Sequence, residues 1–128
     1  MSVVRAFNDH FEEFVSDVER VFPDDNDIAT AHAALVALRK TNPKLILMTF
    51  RDWVARPYRT EIEAGDISFF IKKDYGSDLQ DFGCGDSAGV ILSKIDTLRD
   101  PVSRMGKEDQ DKVVSYIQNL RKLSELYV

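Results

Sequence analysis

"ISFFIKKDY", residues 67–75, decides between an all-helical chain and a mixed one. Ile67, Phe69 and Ile71 alternate as on a half-buried strand, but Phe70 breaks the alternation, and the rest of the chain offers no second strand to pair with it. The stretch therefore reads as a short helix. Gly65 just before it suits the C′ position of a preceding helix, and Asp66 suits the N-cap of this one.

Helical spacing becomes clearer away from this point. From Val3 to Phe22 the large apolar residues fall at Val4, Phe7, Phe11, Phe14, Val18 and Phe22, in steps of three or four that stack on one helix face. Asp9, Glu12, Glu13, Asp17 and Glu19 occupy the other face. Pro23 and the "PDDND" run stop that helix and supply capping oxygens for the next, whose apolar positions are Ile28, Ala31, Leu35 and Leu38. A third helix is expected from Asn42 as N-cap and Pro43 at N1. It is apolar almost all round at Leu45, Ile46, Leu47, Met48 and Phe50, as a buried central helix would be, and Pro57 should kink or interrupt it.

On the C-terminal side, residues 74–86 are rich in Gly and Asp and read as the longest loop. A helix from about Ser87 to Leu98 is expected to stop at Asp100-Pro101, with a short turn over "VSRM". The last helix opens on acidic "KEDQD", suited to the positive end of the helix dipole, and turns Val113, Tyr116, Ile117, Leu120, Leu123 and Tyr127 inward. With 128 residues, 44% hydrophobic and 10% aromatic, the chain has the material for one core. The fold class is thus a small all-α domain, orthogonal or bundle-like, of about five to seven helices spanning 1–128.

Charge and cysteine content narrow the function. A net charge of -5 argues against a general nucleic-acid binder, which needs a basic excess to displace phosphate counterions. Cys84 stands alone, so an internal disulfide and a cysteine zinc cluster are excluded, and a reducing compartment is the expected setting. "MSVVRAFNDHFEEF" acquires charges too early for a signal peptide, and no apolar run approaches the roughly 18 residues of a membrane span.

Chemical motifs are scarce. "GCGDSAGV", residues 83–90, contains a G-x-S-x-G pattern around Ser87, but a loop precedes it and no histidine follows, so the base and the strand that such a nucleophile requires are missing. The better reading is a glycine turn followed by a helix capped by Asp86 or Ser87. A calcium loop starting at Asp25 would want Gly at its sixth position and Glu at its twelfth, where Thr30 and Val36 stand. His10 and His32 have no partner histidine at metal-binding spacing, and Glu61, Glu63 and Asp66 read as solvated helix-end carboxylates. No catalytic residue, cofactor or metal is expected.

The distribution of charge is more informative. Residues 9–27 are strongly acidic, whereas Arg39, Lys40, Lys44, Arg51, Arg56 and Arg59 face Asp52 alone. Trp53 and Tyr58 lie among those arginines, and an arginine–aromatic patch has the composition of a protein-contact hot spot. Arg51, Trp53, Arg56, Tyr58 and Arg59 are the candidate partner contact. The same residues would suit stacking on and neutralising nucleic acid. In the bland alternative, Trp53 fills the core and the arginines pair with the acidic first helix.

Four segments, "VFPDDNDI", "LRKTNPKL", "FFIKKDY" and "YIQNLRKLS", occur in an order that resembles a family of small proteins of large nucleocytoplasmic DNA viruses, notably those infecting algae. The resemblance runs from Phe11 to Tyr127, with Pro57 and the "GCGDSAG" loop departing from the pattern. It implies a virion component assembled in the host cytoplasm: a minor, non-enzymatic capsid protein cementing shell subunits, with the major capsid protein among its candidate partners. The alternative is a viral regulatory or nucleic-acid-associated adaptor using the Arg39 to Arg59 patch.

Overall fold

The computed structural model describes residues 2–72 and 87–127, which form seven α-helices and no strand. They are α1 (Val3–Val21), α2 (Asn26–Thr41), α3 (Leu45–Phe50), α4 (Arg59–Glu63), α5 (Ser68–Lys72), α6 (Ser87–Ser103) and α7 (Lys107–Leu126), with a π-helical turn at Arg51–Ala55 continuing α3. The all-α class expected from the spacing is the one observed. Residues 73–86, which hold Cys84, Asp86 and most of the glycine loop, lie outside the described residues; Ser87 is the first residue of α6.

Phe70 explains why the 67–75 stretch begins as a helix. It is buried to 2% exposure on α5, and its ring lies edge-on to Phe14 of α1 at 6.5 Å, whereas the alternating residues Ile67, Phe69 and Ile71 are half-buried. The residue that breaks the strand pattern is the one that reaches the core. Ahead of it, Gly65 adopts φ +73°, donating its N–H to Ile62 O while the Asp66 N–H reaches Glu61 O, so two of the carbonyls left over at the end of α4 are satisfied. The Asp66 carboxylate in turn accepts the N–H of Ser68 at 2.9 Å.

Phenylalanines organise the core. Phe7, Phe11 and Phe14 of α1 lie one turn apart, and Phe50 at the end of α3 packs edge-on against Phe7 at 5.5 Å and Phe11 at 6.3 Å. Each such ring contributes about 1.5–3 kcal/mol on burial. α1 packs on α2 and α7 and touches α3 and α6, while α4 rests on α7 and α5 on α6. Ser2 accepts the Arg5 N–H at the start of α1, and Asp25 Oδ1 accepts the N–H groups of Asp27 and Ile28 at the start of α2.

Three expectations are corrected. Asn42 closes α2 rather than opening α3: its N–H reaches Leu38 O at 2.8 Å, its carbonyl accepts the Leu45 N–H, and no side chain caps α3. The Pro43 carbonyl is claimed instead by the buried Asn8 side chain, which donates to it at 2.8 Å and ties α1 to the α2–α3 corner. α3 is central but not enclosed, because Lys44, Met48, Asp52 and Arg56 form an exposed row opposite buried Ile46, Leu47, Phe50, Val54 and Ala55. Finally, α6 does not stop before Pro101 but runs through it to Ser103. Proline inside a helix costs about 3 kcal/mol, and here buried Leu98, Val102 and Met105 hold the final turn on the core, with Pro101 itself buried.

Candidate partner-contact segment

Pro57 shapes the segment that contains Arg51, Trp53, Arg56, Tyr58 and Arg59. Lacking an N–H and crowding the carbonyl of Trp53, it cannot continue an α-helix in register. The chain widens before it, and the Arg56 N–H reaches five residues back to Arg51 O at 3.0 Å. Tyr58 then resumes the four-residue step, its N–H donating to Val54 O at 3.2 Å. π turns of this kind recur at functional positions in proteins. This one is anchored by Val54 and Ala55, whose side chains are fully buried, so it is a fixed feature.

The five candidate residues separate into two groups. Asp52 Oδ1 accepts from Arg51 Nε at 3.0 Å and from Arg56 Nη1 at 3.1 Å, which makes one carboxylate the bridge between two guanidiniums. Arg51 is 15% exposed and its guanidinium also lies 5.8 Å from the ring centre of Tyr127, whereas Arg56 is 65% exposed. Arg59 belongs to a different set: its Nε donates to Glu63 at 3.0 Å and stands 3.7 Å from Glu125, and both carboxylates also hold Arg121. Trp53 and Tyr58 are half-buried against the core, and Tyr58 stacks on Phe69 at 5.4 Å.

These pairings account for the electrostatics. The hydrogen bond from Arg59 lowers the Glu63 carboxyl, against desolvation and with the charges of Arg59 and Arg121 adding to it, and the same bond raises Arg59. Arg39, at the start of the basic run, is not on this segment's surface at all: it crosses to α1 and holds Asp9 and Glu12. Burial works against its charge, but the two carboxylates outweigh that and raise its pKa. This pairing of a basic-run arginine with the acidic first helix follows the bland reading of the sequence for Arg39, whereas Arg51, Arg56 and Arg59 find local acids instead.

No protein-family model matches this chain, and no curated protein or solved structure matches it.

Elsewhere, His10 Nδ1 stands 3.5 Å from Glu13 and His32 Nδ1 3.4 Å from Glu19, so each histidine faces a carboxylate of α1. Among the described residues, no three His, Cys, Asp or Glu side chains are grouped to hold a metal ion, and no described helix is long and apolar enough to cross a membrane. Asn8, Arg121 and Ser124 are buried polar residues that the sequence reading passed over. Each falls on its helix's apolar stripe, Asn8 four residues after Val4 and Arg121 four after Ile117, so spacing alone would have turned them inward. Tyr116, read as inward, is half-buried and donates its hydroxyl to Asp17 at 2.6 Å; desolvation and that bond push its pKa up to about 12.

Proposed function

We propose that this chain is a non-enzymatic structural protein of a large DNA virus, a minor capsid protein that cements neighbouring shell subunits through protein–protein contacts. The viral setting rests on the four-segment resemblance, and the mode of action on one structural observation: the cations of the candidate segment are already partnered. Arg51 and Arg56 share Asp52, and Arg59 and Arg121 share Glu63 and Glu125. A nucleic-acid site needs a basic excess on its surface, and this pairing removes most of it. A surface of alternating sign next to stacked aromatic rings suits a protein partner, where complementary charge sets register and buried rings supply affinity.

The test is an inventory of purified virions by quantitative mass spectrometry. The protein is expected at fixed stoichiometry with the shell components, and its absence from virions would end the proposal. Binding of mixed-sequence DNA that weakens steeply with salt and is lost in an Arg51→Ala, Arg56→Ala variant would favour the nucleic-acid adaptor instead.

A further inference from the structure

The short helix α4 has little of its own to hold it in place. A run of five residues is too short to be a stable helix by itself, and Ile62 is its one buried residue. The π turn and Pro57 precede it, and Gly65 at φ +73° follows it, so the chain bends freely at neither end without leaving helical register. Beneath it a small apolar hollow lies among Ile62, Gly65, Ile67, Phe69, Val114 and Ile117, so its packing on α7 is incomplete. Gln118 of α7 adds one bond, donating Nε2–H to the Ile62 carbonyl at 3.0 Å.

The other attachment is a closed ring of four charges. Arg59 stands 3.0 Å from Glu63 and 3.7 Å from Glu125, and Arg121 stands 3.4 Å from Glu63 and 3.0 Å from Glu125, so each carboxylate meets both guanidiniums. Arg59, Glu63 and Glu125 reach water, and pairs among such groups add little. Arg121 differs, because its side chain is only 10% exposed and its Nε is buried without a hydrogen-bond partner. A buried guanidinium is tolerated while carboxylates compensate it, and removing that compensation is strongly destabilising. Among the described residues, Glu63 and Glu125 are the carboxylates paired with it; Glu61 on α4 and Asp52 on the π turn are not. Arg51 and Arg56 on the π turn and Lys122 on α7 bring charge of its own sign, and Tyr58 and Tyr127 bring none at neutral pH. Asp9, Glu13 and Asp17 of α1 line the α1–α7 hollows with Lys112, Tyr116 and Lys122 instead.

We propose that this ring is an acid-operated latch: protonation of Glu63 and Glu125 strands the Arg121 charge, and α4 leaves α7 while the helical core stays folded. Opening is the relief, because it lets water reach the guanidinium. It also uncovers Ile62 together with Val114 and Ile117, an apolar face that is closed off at neutral pH. The hydrogen bond from Arg59 first, and then the charges of Arg59 and Arg121, hold the Glu63 carboxyl below its usual range against desolvation. A carboxyl lowered in this way stabilises fully above the unfolded value of about 4.3, and that contribution is lost as pH falls through the folded value. The latch is therefore closed at neutral pH and opens in acid. It does not depend on the virion role, and either can fail without the other.

The experiment is amide hydrogen exchange on the full chain, resolved by NMR. The N–H groups of Ile62, Ala64 and Gly65 are hydrogen-bonded when α4 is seated and report its opening, while those of Phe11 and Phe14 in the core of α1 report global unfolding. In wild type at about pH 3, the α4 protection factors are expected to fall about tenfold or more from their values at about pH 7, with the α1 values within about twofold. The double variant Glu63→Gln, Glu125→Gln keeps the shape and the acceptor oxygens but not the charge, and is expected to show the same loss already at about pH 7. Arg121→Met removes the charge that would be stranded and is expected to keep α4 protected at both pH values. Unchanged α4 protection in acid or in the double variant, loss of α4 and α1 protection together, or acid opening of Arg121→Met equal to that of wild type overturns the proposal.

Discussion

Truncating Phe70 to alanine tests the packing that makes this chain all-helical. The side chain is 2% exposed and faces the rings of Phe14 at 6.5 Å and Phe69 at 6.4 Å, both edge-on. Removing a fully buried phenylalanine costs about 3–5 kcal/mol, made up of lost transfer energy, lost ring contacts and a cavity that closes incompletely. With a urea dependence of roughly 1.5–2 kcal/mol per molar for a domain of this size, the unfolding midpoint should fall by about 2 M. Phe69→Ala is the internal control. Phe69 is half-buried, stacked on Tyr58, and its loss should cost roughly half as much. A strand with Ile67, Phe69 and Ile71 inward demands the reverse order. Urea titrations followed by circular dichroism at 222 nm compare the two directly, and a Phe69→Ala variant less stable than Phe70→Ala would refute the helical assignment of this stretch.

Three other outcomes follow from particular contacts. Asp25→Ala removes the acceptor for two N–H groups at the start of α2 and should destabilise the fold by about 1 kcal/mol in thermal unfolding, while Asp25→Asn should recover most of it. Gly65→Ala should cost about 1 kcal/mol, although Val114 and Gln118 leave ordinary contact distance for a Cβ at 3.7 and 3.8 Å, because the penalty comes from φ +73°; an unchanged midpoint would show that the α4 terminus can rearrange. The Tyr116 phenol titrates near 12 when folded against about 10 when unfolded, so its contribution is complete below pH 10 and is lost as pH rises through 12, because there the unfolded chain binds fewer protons. The difference in unfolding free energy between wild type and Tyr116→Phe should therefore shrink over pH 10–12 by on the order of 1–2 kcal/mol after solvent screening at this half-buried group, and a pH-independent difference would contradict the Asp17 bond.

How far the sequence carried depends on which interaction decides each feature. α1, α2 and α7 were legible because one apolar stripe per helix is a local pattern: Phe7, Phe11, Phe14 and Val18, then Ile28, Ala31 and Leu35, then Val113, Ile117 and Leu120, all face the core. Gly65 and Asp66 were legible for the same reason, since a left-handed residue and a side-chain cap are settled within a few positions. Pro57 announced an interruption, but not that it would take the form of a π turn fixed by Val54 and Ala55.

What only the tertiary structure decided involves partners distant in sequence. Pro101 stays inside α6 because Val102 and Met105 are buried against other helices, which outweighs a local breaking tendency. Asn42 and Pro43 end one helix instead of starting the next, and the Pro43 carbonyl finds its donor in Asn8, 35 residues away. The basic run from Arg39 to Arg59 is basic only along the chain: folding takes Arg39 to Asp9 and Glu12 and brings Glu125 to Arg59. Local backbone and side-chain preferences are written residue by residue, whereas the charge a surface presents depends on which helices are brought together, and that is set by burial of the phenylalanine core.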